Sequence, residues 1–145
     1  MKSIADIIKQ ELTECHKSIT ANHIAAGQLA TGKTSNMFEV KGVSITGGQL
    51  WGFPFYQVWE TGRKAGKMPP SSALLPWVQA RFGVSGSEAR SLAFLIARKI
   101  GEEGSALYRK GGRKDIFTPP FEKLYESLPD KLGDLLVEIV INQVK

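Results

Sequence analysis

Residues 36–59 read NMFEVKGVSITGGQLWGFPFYQVW, the one stretch of this chain patterned for strands rather than helix. Met37, Phe38, Val40, Val43 and Ile45 are strand formers, and Gly42 stands where a bend or bulge belongs. Gly47-Gly48 is a turn signal. Leu50, Trp51, Phe53, Phe55, Tyr56, Val58 and Trp59 follow, interrupted by Gly52 and Pro54. Pro54 has no amide hydrogen to give to a ladder, so it belongs at an edge or at a break between two short strands. Two or three antiparallel strands are expected. The aromatic cluster Trp51, Phe53, Phe55, Tyr56 and Trp59 is either a sheet face covered by helices or a partly exposed anchor for a neighbouring subunit.

Helical patterns flank this stretch on both sides. In residues 3–25, Ile4, Ile7, Ile8, Leu12, Cys15 and Ile19 recur at spacings of three and four and make one apolar stripe. Ser3 and Asp6 occupy capping-box positions at the start, and Gly27 marks the end. ETGRKAGKMPP, residues 60–70, is loop by its glycines and prolines. A short helix follows, with Leu74, Leu75, Val78 and Phe82 on its apolar side and Gly83 as its stop. Pro76 fits only near a first turn, which places the start at residue 75 rather than 71. Residues 86–103 form the clearest helix, with Ser85 and Glu88 as a capping-box pair, a stripe of Ala89, Leu92, Ala93, Ile96 and Ile100, and Gly101 and Gly104 as stop signals. SALYRKGGRKDIFT, residues 105–118, reads as a basic loop, with Arg109, Lys110, Arg113 and Lys114 flanking Gly111-Gly112. A closing helix starts near Pro119, breaks near Pro129, and buries Leu132, Leu135, Leu136, Ile139 and Val140. The expected fold is α+β: a single small domain over residues 1–145, with a long N-terminal helix and a small antiparallel sheet packed by two to three further helices.

Composition limits the function classes. A chain of 145 residues, 42% hydrophobic and 23% charged, matches one globular domain with its own core. Cys15 is the only cysteine, so no intramolecular disulfide is possible, which fits a reducing compartment. The charged N-terminus does not read as a signal peptide, and no uncharged apolar run reaches membrane-spanning length, so a protein made in the cytoplasm is expected. A net charge of +5 is compatible with nearby DNA but modest for a dedicated nucleic-acid binder.

Residues 27–34, GQLATGKT, satisfy the phosphate-loop pattern, with Gly27, Gly32, Lys33 and Thr34 in the key places. That pattern works when a strand delivers the glycine loop onto a helix N-terminus, whose amides and dipole hold the phosphates. Here a helix precedes the motif and a strand-like segment follows, so a glycine connection is the expected reading. His16, His23 and Cys15 lie on the first helix, but too few ligands sit at zinc spacing, and no metal is expected. Cys15 and His16 are adjacent and point apart, so they form no catalytic dyad. Glu60 would need a defined partner to act as a base, and the sequence names none.

FYQVWETGRKAGKMPPSSALLPWVQARFG, residues 55–83, resembles a segment of the small tail-completion, or head–tail joining, proteins of tailed bacteriophages. The matching residues are Tyr56, Trp59, Glu60, Gly62, Arg63, Gly66, Lys67, Met68, Pro69, Pro70, Leu74, Trp77 and Val78. The family's following helix is similar at Ala89, Arg90, Leu92, Ala93, Phe94, Ile96, Ala97, Arg98, Lys99 and Ile100, with Gly104 beyond it. The likeness spans most of residues 20–140 and is sharpest over 55–104. The Gly-Gly basic loop with Tyr108 has no place in the family pattern.

The resemblance implies a virion structural protein that is not an enzyme and uses no cofactor. It implies a homo-oligomeric ring, six- or twelvefold, at the head–tail junction, assembled in the bacterial host cytoplasm. Its partners would be other neck, portal-adaptor or tail-tube proteins, with genomic DNA passing through the bore without sequence specificity and no membrane involved. Subunit or partner contacts are then expected from Trp59, Glu60, Arg63, Lys64, Lys67 and Met68, and a face toward DNA or a partner from Arg109, Lys110, Arg113 and Lys114. The alternatives are a nucleic-acid-binding accessory protein, a tail terminator ring protein of the same virion, and, on GQLATGKT alone, a nucleotide hydrolase.

Overall fold

A computed structural model of the chain describes residues 1–28, 38–52 and 56–145. Met37, Phe53, Pro54, Phe55 and the Gly32-Lys33-Thr34 part of the phosphate-loop pattern lie outside the described residues. The architecture is α+β, and the described residues form six helices, two of them single turns, and one antiparallel strand pair.

The first helix, α1 (Ile4–Ala25), starts on the expected capping box. The Asp6 N–H donates to Ser3 Oγ at 3.1 Å, and the Ser3 N–H donates to Asp6 Oδ2 at 2.9 Å. Its stripe of Ile7, Ile8, Leu12, Cys15 and Ile19 is buried. The sheet follows as β1 (Glu39–Ser44) and β2 (Gly47–Trp51), with Val40 opposite Leu50 and Lys41 opposite Gln49. The register shifts between Lys41 and Ser44, where Gly42 has φ 59°, so the expected bulge is present. The turn itself falls at Ile45-Thr46, earlier than the glycine pair. Gly48 serves packing instead: a Cβ there would lie 2.7 Å from Leu12 Cδ1, so its absence lets β2 press against α1.

Val58 and Trp59 are not strand. They belong to a single helical turn, α2 (Val58–Thr61), because the indole is buried against α1 rather than laid on a sheet face. Of the aromatic cluster, Trp59 is buried, Tyr56 is half-buried, and Trp51 is exposed beneath the Lys41 ammonium, 5.5 Å above its ring.

Next come α3 (Ser71–Phe82) and α4 (Gly86–Glu103), which pack chiefly on each other around Val78, Ala89 and Ala93. α3 begins at Ser71, so Pro76 lies in its middle, where the ring leaves the Ser72 carbonyl without its ladder partner and does not end the helix. Gly83 closes it in the left-handed conformation, φ 67°. Ser85 precedes α4 with no side-chain cap bond, so the predicted Ser85/Glu88 box does not form. Gly101 lies within α4 rather than ending it. Residues 105–118 are not all loop: α5 (Ala106–Arg109) makes one turn, capped by Ser105.

The last helix, α6 (Thr118–Val144), runs unbroken through Pro129 for about 40 Å at 1.5 Å per residue. The carbonyl that loses its partner is that of Tyr125, whose side chain is 75% exposed, so water can take the bond. α6 lies antiparallel along α1: Asn22 Nδ2 donates to the Ile116 carbonyl at one end, and Glu11 meets Ser127 and Lys131 farther along. The main core joins Cys15 and Ile19 of α1, Trp59 of α2 and Ile116 just before α6. The predicted buried face of α6 is only half right: Leu135 is buried and Leu132 and Ile139 half-buried, whereas Leu136 and Val140 are exposed.

Candidate functional site

Glu60 opens the ETGR segment, residues 60–63. It is 4% exposed, and both carboxylate oxygens are occupied. Oε1 accepts the backbone N–H groups of Ile116, Phe117 and Thr118 at 3.0, 2.9 and 2.9 Å, and Oε2 accepts Thr118 Oγ1 at 2.6 Å. These N–H groups open α6, whose own Phe117 cap position supplies no side-chain bond. Glu60 is therefore a helix cap delivered from more than fifty residues away, meeting orphan donors and the positive end of the helix dipole at once. The hydrogen bonds hold the carboxylate in a structural role at the start of α6.

The rest of the ETGR segment is fastened to residues 101–113. The Arg63 N–H donates to Ser105 Oγ at 2.9 Å, and the Ser105 N–H donates back to the Arg63 carbonyl at 2.8 Å. The Gly66 N–H donates to the Gly101 carbonyl at 2.9 Å, and the Arg113 N–H to the Glu60 carbonyl at 2.7 Å. Glycine is required by this close approach. A Cβ on Gly62 would lie 2.3 Å from the Tyr108 nitrogen, and one on Gly112 2.7 Å from the Glu60 oxygen.

A second fastening runs through Trp59. The His23 ring stacks on the indole, with centroids 3.9 Å apart. The Gln28 side chain joins the two residues, Oε1 against His23 Nδ1 at 3.0 Å and Nε2 donating to the Trp59 carbonyl at 2.8 Å. Burial pushes the His23 pKa down, against the opposing Gln28 bond. Burial also raises the Cys15 thiol to about 11, so it is a packed apolar group rather than a nucleophile at neutral pH. Gly27 and Gln28, the described part of GQLATGKT, end α1 and brace Trp59; the Gly27 carbonyl accepts from Arg81 Nη1 at 3.1 Å.

Of the residues expected at a partner contact, Trp59 and Glu60 are spent inside the domain. Arg63, Lys64, Lys67 and Met68 are exposed beside them. Of the four cations in the basic loop, Arg113 is held by a two-pronged pair with Asp115 at 2.6 and 2.7 Å, and Arg109 pairs with Glu103 at 3.1 Å. Among the described residues Lys110 and Lys114 have no carboxylate partner. Tyr108, Gly111, Gly112, Arg113 and Lys114 border an open concavity of about 690 Å³ over the buried Glu60.

No partner for Glu60 was legible before folding. The only signal was Phe117-Thr118-Pro119-Pro120, a helix start with prolines in place but no acidic residue of its own in the first turn. The His23–Trp59 stack had no sequence signal. Among the described residues no helix is long and apolar enough to cross a membrane, and no cluster of His, Cys, Asp and Glu is placed to hold a metal ion. No family model, curated protein or solved structure matches the chain.

Proposed function

We propose that the chain is a structural protein of a tailed bacteriophage virion, a ring-forming subunit at the head–tail junction with no catalytic role. The observation that carries this reading is the use of the residues shared with joining proteins. Trp59, Glu60, Gly62 and Gly104 hold the polypeptide together, while Arg63 and Met68, of residue types enriched at subunit interfaces, stay exposed beside them. In this reading the ring is six- or twelvefold, neighbouring neck, portal-adaptor or tail-tube proteins sit on either side, and DNA passes without sequence readout. Lys110 and Lys114 are the loop cations free to meet phosphate or an acidic partner. The tail-terminator reading shares every one of these features and differs only in position. Gold-labelled antibody to the protein, applied to purified particles, tests both: label at the neck supports joining, label at the tail end of unattached tails supports termination, and no label on particles contradicts both.

A further inference from the structure

Among the described residues α1 is the only element packed extensively on α6, and Met1 and Lys2 at its N-terminal end line a hollow with Leu135 and Glu138. Leu136, Val137, Val140, Ile141 and Val144 are all more than half exposed. At spacings of one, four, five and eight from Leu136 they form one stripe along the helix. The stripe lies beside, not on, the face that Leu132, Leu135 and Ile139 turn toward α1. A helix that is apolar on two sides is built to be covered on both, and contiguous bare patches of this extent mark interaction sites on soluble proteins. Asp134 and Glu138 border the stripe along the Val137 and Ile141 edge, and neither forms an ion pair among the described residues.

The middle of the chain offers the complement. Trp77, Ile100 and Leu107 floor a groove of about 370 Å³ between the α3–α4 hairpin and α5. Lys99 and Arg109 stand in its wall and share the single carboxylate of Glu103, which leaves the rim positive. Among the described residues the hairpin makes no extensive contact with α6, and the groove between the hairpin and α5 is not filled by any of them. The acidic pair beside the stripe and the basic rim of the groove are opposite in sign, so each surface complements the other on a second copy of the same chain.

We infer that the occupant of the α6 stripe is a second copy of this chain, whose Trp77–Leu107 groove receives Val137, Val140, Ile141 and Val144 while its Lys99 and Arg109 meet Asp134 and Glu138. The contact is head-to-tail, because the two surfaces differ, and repetition with a closing rotation yields a ring. The inference rests on the self-assembly in the proposed function but not on the place of the ring in a virion.

Sedimentation velocity across a concentration series tests it, with far-ultraviolet circular dichroism as the check on folding. The native chain is expected to associate. Val140→Asp is expected to be monomeric with an unchanged spectrum, since the residue is 58% exposed within one chain. Asp134→Lys with Glu138→Lys, and separately Lys99→Glu with Arg109→Glu, are each expected to weaken association tenfold or more. The chain carrying all four reversals is expected to recover it. A native chain that stays monomeric, association that survives Val140→Asp, or a fourfold reversal that fails to recover would each overturn the inference. A chain that assembles by this contact yet never labels particles would leave the inference standing and remove the virion reading.

Discussion

The Glu60 carboxylate grips Thr118 twice, at the backbone N–H (2.9 Å) and at the side-chain hydroxyl (2.6 Å), and so fixes where α6 begins. Glu60→Ala leaves the buried Ile116 N–H, the half-buried Phe117 and Thr118 N–H groups and the Thr118 hydroxyl without this acceptor. Loss of a cap costs about 0.5–2 kcal/mol, and each buried unsatisfied donor about 1–3 kcal/mol, so a destabilisation of about 3 kcal/mol or more is expected in urea unfolding. Glu60→Gln keeps one carbonyl oxygen and should fall between. A loss under about 0.5 kcal/mol for Glu60→Ala, the range of an ordinary surface change, would show that α6 does not depend on this cap.

Two glycines separate close approach from backbone conformation. Gly62 (φ 73°) faces the Tyr108 backbone at 2.3 Å from a would-be Cβ, whereas Gly111 (φ 89°) faces open space. Both alanine variants carry the strain of a positive φ, about 1–3 kcal/mol. Gly62→Ala must in addition push the two segments apart. Thermal unfolding should therefore rank Gly62→Ala well below Gly111→Ala, and equal melting temperatures would contradict the packing described here.

Acid should loosen the domain in two stages. The folded-state pKa of His23 is lowered, first by burial, and that of His16 likewise. The unfolded chain then binds more protons than the folded one below the ordinary histidine pKa of about 6.5. Stability is intact above that value and declines as the pH falls through it. Glu11 follows at lower pH. Burial opposes its charge, but the hydrogen bonds from Lys131 and Ser127 outweigh it and hold its pKa low. Its contribution is lost once the pH drops below the usual carboxylate range. Melting temperatures across the pH series should show both steps, and His23→Gln should flatten the first. An unchanged first step in that variant would assign it elsewhere.

Lys110 and Lys114 are outside every fastening described above. Replacing both with alanine should leave stability within about 0.5 kcal/mol of the native chain, as for ordinary surface positions. If they meet phosphate, binding to random duplex DNA should lose about two from the slope of log affinity against log salt. A lowered melting temperature for this variant would make the loop structural instead.

Much of this was legible in the sequence, and the failures have physical reasons. The Ser3–Asp6 box and the α1 stripe are local patterns, and they hold. The α3–α4 hairpin also follows from spacing, though Ala89, Ala93 and Ala97 rather than Leu92 and Ile96 are the fully buried positions of α4, because close helix packing selects the small side chains. Trp59 looked like strand because aromatic residues favour strands, but its stack on His23 is a tertiary contact that no local pattern encodes. Glu60 was expected at a partner contact because its acceptor role is defined by amides at 116–118, far along the chain. Leu136 and Val140 belong to an apolar pattern wider than one neighbour can cover, and periodicity alone does not reveal which side α1 takes.

The most direct test of the proposed function is electron microscopy of a phage lysate lacking this gene product, before and after addition of the purified protein. The joining role predicts filled heads and finished tails lying apart, which unite into infectious particles when the protein is added. Normal infectious particles in its absence would contradict it.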